Sequence, residues 1–136
     1  MSAQRYDRIR YDGTEYNLAA TPLEQYFALH PERRPAFRGF DTGCMRGYVA
    51  EWAVRECRLY LVGMRMVMLT DATFESLFPD AVADGLFAGW VSGDLKGPHG
   101  ELVQSVHAGF GSVWERELCL SFEDGVLKGA EDKRNA

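Results

Sequence analysis

Imidazole exchanges a proton near neutral pH more readily than any other side chain, so His30, His99 and His107 are the first candidates for chemistry. His107 has the richest surroundings. The run Gly109-Phe110-Gly111-Ser112 follows it, and Glu101, Glu115 and Glu117 lie close by in the chain. A general base (His107), an orienting carboxylate (Glu115) and a hydroxyl (Ser112) are the parts of a small hydrolytic site. The same residue types in turn-rich regions also hydrogen-bond loop backbone, and spacing does not choose between the two roles. Asp94, Glu101, Glu115 and Glu117 could supply the paired carboxylates of sugar hydrolysis, but an acidic chain commonly offers as many. No histidine stands at an H-x-x-x-H or C-x-x-C interval, so neither a metal nor a cofactor is expected. The Gly109 to Ser112 run also lacks the Lys-Ser/Thr pair and following helix of a phosphate loop.

A second candidate is electrostatic. Arg33, Arg34, Arg38 and Arg46 concentrate positive charge in a loop that also holds Phe37 and Phe40, within a chain of net charge -5. Guanidinium groups take carboxylate or phosphate through paired hydrogen bonds while neighbouring rings stack, so Arg38 and Arg46 are candidate binding residues. A solvated connection with its phenylalanines tucked inward would have the same composition. The acidic balance argues against a duplex nucleic-acid partner, because phosphate binding draws on a basic face. It would suit a basic partner protein met by carboxylates such as Glu115, Glu117 and Glu123.

These groups must be held by a β-rich frame. In residues 47–67 strand alternation sends Tyr48, Ala50, Trp52 and Val54 one way and Val49, Glu51, Ala53 and Arg55 the other. A tight link at 55–58 leads into Leu59-Tyr60-Leu61-Val62, and Met64, Met66 and Met68 continue the pattern as core filling. Asp12-Gly13 predicts a hairpin over residues 8–18 at a sheet edge, with Arg8, Arg10, Glu15 and Asn17 facing solvent. Thr21-Pro22-Leu23-Glu24 predicts a helix start with a capping box. Leu23, Tyr26, Phe27 and His30 share its face, and Pro31 is its stop.

Residues 71–79 predict a further helical turn capped by Asp71 or Thr73 and anchored by Phe74, Leu77 and Phe78. A loop over 80–85 and a third strand region over 86–92 follow. Gly93, Gly97, Gly100, Gly109 and Gly111 break the next stretch into short pieces. Over 114–123, Trp114, Arg116, Leu118, Leu120 and Phe122 alternate with Glu115, Glu117, Cys119, Ser121 and Glu123, predicting a half-buried strand. Asp124-Gly125 turns it into residues 126–128, and residues 129–136 read as a frayed polar tail.

The stretches GYVAEWAVRECRLYLVGM and VHAGFGSVWERELCLSFEDGVL resemble a group of small uncharacterised bacterial proteins with a Gly-Tyr-x-Ala-x-Trp strand, a Leu-Tyr-Leu strand and a late Gly-Ser-Val-x-Glu segment. The resemblance covers about half of the chain and implies no activity. Length and composition predict one domain over residues 1–136. The expected fold is α+β: a bent antiparallel sheet of six to eight short strands, curling toward a barrel, with the 22–30 helix laid across it. Three widely spaced cysteines, an apolar-poor start and no long apolar run predict a cytoplasmic protein away from the membrane. The leading expectation is a non-enzymatic protein-binding domain of the bacterial cytosol. Its sharpest version is an immunity protein that covers the active surface of a basic toxin domain. The alternative is a small hydrolase or ligand-binding barrel with its site where His107 and its loop meet the Arg33 to Arg46 loop.

Overall fold

The computed structural model describes residues 3–81 and 85–135. Its elements run β1 (Asp7–Tyr11), β2 (Thr14–Leu18), α1 (Pro22–Leu29), a 3₁₀ turn at Pro31–Arg33, β3 (Tyr48–Arg55), β4 (Arg58–Met66), α2 (Phe74–Leu77), β5 (Leu86–Phe87), β6 (Gly93–Gln104), β7 (Val113–Glu123) and β8 (Val126–Arg134). Among the described residues the strands form one sheet in the order β2-β1-β3-β4-β8-β7-β6, with β5 attached to β4. The fold is α+β with a strongly bent, open sheet. Every pairing is antiparallel except β1 with β3.

The inner face carries the core. Tyr48, Ala50 and Trp52 of β3, Leu59 and Leu61 of β4, and Leu118, Leu120 and Phe122 of β7 are buried together with Leu23 and Phe27 of α1. Alternation in the strands and i, i+4 spacing in the helix bring these side chains to one interior. Val49 and Ala53 on the opposite side of β3 are also buried, as expected of a strand at the sheet centre. The link between β3 and β4 is a two-residue turn in which Glu56 and Cys57 both take positive φ, 51° and 61°. That left-handed pair matches the twist of the flanking strands. Asp124 and Gly125 repeat the device between β7 and β8. Gly125 is compelled: at φ 79°, a Cβ there would stand 2.5 Å from the Ala88 carbonyl oxygen.

The bend brings the sheet's two outer strands close without closing it. Ala19 N–H donates to the Lys96 carbonyl at 2.8 Å, and Gly97 lies against the Asn17 backbone. On the other side, β4 meets β8 through the Arg58 and Val126 pair and two flanking hydrogen bonds, from Leu59 N–H to Gly125 O and from Leu127 N–H to Cys57 O.

Several sequence expectations need correction. The first hairpin is an edge only through β2, because β1 pairs on its other side with β3. The region 86–92 is a strand only at Leu86–Phe87; it then turns, with Val91 buried and Trp90 Nε1–H donating to the Pro22 carbonyl at 3.0 Å. The glycines at 93, 97 and 100 do not break the chain into pieces. They lie within the single long strand β6, whose register shifts near residues 99–104 absorb the irregularity. Residues 129–134 are not frayed: they form most of β8 and pair along β7 to Arg134. Their polarity hid the strand, because their side chains are exposed while their backbone is held by the ladder. Part of the 80–85 loop lies outside the described residues.

The short elements follow local chemistry unevenly. Thr73 caps α2 with a full capping box closed by Ser76, and Asp71 instead pairs with Arg38 at 3.3 Å. At α1 the reverse holds. Thr21 is the N-cap residue but makes no side-chain cap bond: the Glu24 N–H donates to the Thr21 carbonyl at 3.0 Å, and the Glu24 carboxylate is drawn elsewhere, as described next.

Candidate functional site

Asp7 opens β1 in phase with Ile9, so its side chain points inward with the core residues. A buried carboxylate requires donors, and it has several. Arg46 Nη2 donates to Oδ1 at 2.8 Å, Ala50 N–H to the same oxygen at 3.0 Å, and Trp52 Nε1–H to Oδ2 at 3.1 Å. Burial raises the carboxyl above its ordinary range, while Arg46 and the two N–H donors pull against that rise. The Arg46 side chain is only 6% exposed; Nη2 also donates to the Arg5 carbonyl, and its Nε–H is buried without a partner among the described residues. The Arg46 guanidinium lies 5.6 Å from the centre of the Tyr48 ring. Gly47, at φ 87°, lets the chain pass under the Phe37 ring, which would stand 2.9 Å from any Cβ there.

Tyr48 links this buried pair to a more open one. Its hydroxyl donates to Glu24 Oε2 at 2.5 Å, and burial together with the Glu24 hydrogen bond pushes the phenol upward from its ordinary pKa, so it remains a donor. Arg34 Nη1 donates to both Glu24 oxygens, at 2.8 and 2.7 Å, and the guanidinium stands 5.6 Å from the Phe27 ring centre. The sequence Asp7, Arg46, Tyr48, Glu24, Arg34 therefore alternates acid, base, ring, acid and base from the core outward.

Beside this chain of contacts lies a cleft of about 570 Å³, within the span of roughly 300–1,000 Å³ common for small-molecule sites. Arg34, Arg46 and Met45 form one wall, Glu24 and Thr21 at the start of α1 form another, and Gly109 with Phe110 form the third. The segment ahead of β1 ties the walls together. Gln4 N–H donates to the Gly109 carbonyl at 2.9 Å, its side-chain amide donates to the Thr42 carbonyl and accepts from Met45 N–H, and Arg5 N–H donates to Gly43 O at 2.7 Å. Phe110 stacks on Tyr6 at 5.4 Å, and the Tyr6 hydroxyl accepts from Trp114 Nε1–H.

The residues singled out from the sequence are thus distributed over several places. Arg46 and Arg34 reach the cleft, whereas Arg38 is exposed and pairs with Asp71. His107 is exposed on its loop. Ser112 Oγ accepts from Val106 N–H and donates to Val106 O, so this hydroxyl staples the loop, and no hydrogen bond joins it to His107 or Glu115 among the described residues. Glu115, Glu117 and Glu123 lie on the side of β7 opposite Leu118 and Leu120, with Lys133 across from Glu117. His99 meets Asp132 at 2.9 Å, and His30 stands 3.7 Å from Glu32 at the end of α1. Burial opposes ionisation of Asp132, but hydrogen bonds from His99 and Arg116 outweigh it and hold the carboxyl below its usual range.

Among the described residues no group of three His, Cys, Asp or Glu side chains gathers to hold a metal, and no helix is long and apolar enough to cross a membrane. Cys44 and Cys119 are buried, and Cys57 is exposed in the β3–β4 turn; all are free thiols. Asp7 and Gln4 belong to no motif in the sequence. The signal for Asp7 was available: a carboxylate two residues before Ile9, on the apolar face of a strand, demands a buried cation. No family model, curated protein or solved structure matches the chain.

Proposed function

We propose that this chain is a binding protein that receives a small organic molecule in the cleft between the arginine loop and the 105–112 loop. One observation carries this: two loops far apart in sequence, joined through Gln4, enclose a cleft that combines apolar surface at Met45 and Phe110 with the charged groups of Glu24 and Arg34. An apolar lining with a few convergent polar groups is what fixes a ligand's position and orientation. Arg46 is fixed beside the cleft by Asp7, and Arg34 is positioned at its wall by Glu24. The test is a titration of isotope-labelled protein with a library of small organic compounds. Amide signals of Thr21, Thr42, Met45, Gly109 and Phe110 should move as a set. If compounds shift signals elsewhere and leave that set still, the cleft is not the binding site.

A second reading, a protein partner, is favoured by a different face. By the strand register, Asp94, Glu115, Glu117, Glu123 and Glu131 share the outer side of β6, β7 and β8 with Lys96 and Lys133, an acidic excess. Such a surface raises the association rate with a basic protein. The toxin-neutralising role in the bacterial cytosol belongs to this second reading. Glu117→Lys combined with Glu123→Lys should abolish any capture of a basic partner from the native host; undiminished capture would exclude this face.

A further inference from the structure

We infer that the cleft's ligand carries a carboxylate on a short apolar body, and that this carboxylate takes the place of Glu24 on Arg34. The inference rests on the cleft being a binding site and adds the chemical class of what it holds. The chain itself provides the stand-in. Glu24 is a planar two-oxygen head at the cleft wall, with both oxygens on Arg34 Nη1 and one of them also receiving the Tyr48 hydroxyl. Its side chain is 34% exposed in the first turn of α1, so it can rotate into solvent; the group this leaves without its partner is the Tyr48 hydroxyl, which the incoming carboxylate takes up.

Once Glu24 turns away, two groups are left facing the vacated position. The Arg34 guanidinium loses its counter-charge and the Tyr48 hydroxyl loses its acceptor. Both favour an anion there, by ion pairing and by donation. Arg46 stays with Asp7 and does not need a second anion. The local balance therefore calls for one negative charge, the charge that Glu24 gives up. The rest of the ligand meets Met45, 61% exposed, and Phe110, whose ring is braced by Tyr6; these define an apolar body next to the head.

The experiment uses 3-phenylpropionate, its alcohol 3-phenylpropan-1-ol, and inorganic phosphate, each titrated into the full chain and into Glu24→Gln and Arg34→Gln variants, with cleft amide shifts as readout. Gln at 24 keeps an acceptor for Tyr48 while removing the competing charge. The acid should therefore bind that variant about tenfold more tightly than it binds the native chain, a change of one charge-assisted contact. Arg34→Gln should weaken the acid by at least about tenfold and leave the alcohol unchanged. Phosphate should bind more weakly than the acid in every form, since it has no apolar body. The inference is overturned if acid and alcohol bind alike, if Glu24→Gln does not tighten the acid, or if phosphate equals it. In those cases, with cleft signals still moving, the site itself stands. If no compound moves the cleft signals, both the site and the inference fall. The Arg34 side chain is 37% exposed, so its replacement removes no core packing.

Discussion

Asp7 and Arg46 are the residues on which the cleft's geometry rests. Each is buried, and the pair is tied to the backbone of Ala50 and Arg5 and to the indole of Trp52. Removing one partner leaves the other charge without compensation in the interior, so Asp7→Leu or Arg46→Met alone should lower stability by about 3–5 kcal/mol. The two changes together should lower it by less than either, because no charge is then stranded; urea unfolding of the three variants checks this. The pH dependence has a definite sign. Because Asp7 is raised in the folded chain relative to the unfolded one, its contribution is complete below the ordinary carboxylate range and declines as pH rises through the raised folded value. Asp7→Asn should remove that part of the slope in stability measured from about pH 3 to about pH 7.

At the scale of elements, β3 is the centre and β8 is the strand concealed by composition. Trp52 is 2% exposed, packs in the core cluster and donates to Asp7. Trp52→Ala should cost roughly 3–5 kcal/mol, and a native-like melting curve for that variant would displace β3 from the centre. Deleting residues 129–136 should be equally informative. It strips β7 of the ladder from Ser121 to Arg116 and leaves a long unpaired edge beside exposed carboxylates. The truncated chain should unfold at lower urea and self-associate; unchanged stability would mean that the tail contributes no structure.

At the scale of the whole molecule, the bend of the sheet is decided where β2 and β6 approach. Gly97 lies at a close approach: a Cβ would stand 3.2 Å from Asn17 O, a tight contact with backbone, and 3.4 Å from Tyr16 Cβ. Gly97→Val should therefore push the two outer strands apart, lowering stability by about 1–3 kcal/mol. It should also speed amide exchange at Ala19, whose N–H bonds to Lys96 across that approach. Unchanged exchange at Ala19 would show that the bend is set elsewhere.

Local pattern made much of the frame legible. Alternation in 47–67 and 114–123, Asp-Gly at 12–13 and 124–125, and Pro22 with Pro31 around one helix all act over a few residues, so they appear in the chain before it folds. β8 escaped because its stability comes from backbone pairing with β7, and β6 was divided because its glycines sit at bulges and at a close approach that only the folded sheet defines. The site was half visible. The arginine loop and the glycine loop stand out by composition, but Glu24 has the pattern of a cap and the partner of Asp7 is remote in sequence. Sequence alone determined the two Asp-Gly hairpins, the alternating strands at 48–55 and 114–123, the helix that starts at Pro22 and the basic character of the loop from Arg33 to Arg46. Which arginines are buried, what neutralises them and which distant loop completes the cleft were decided by tertiary structure, because partners more than thirty residues apart meet only once the sheet has bent.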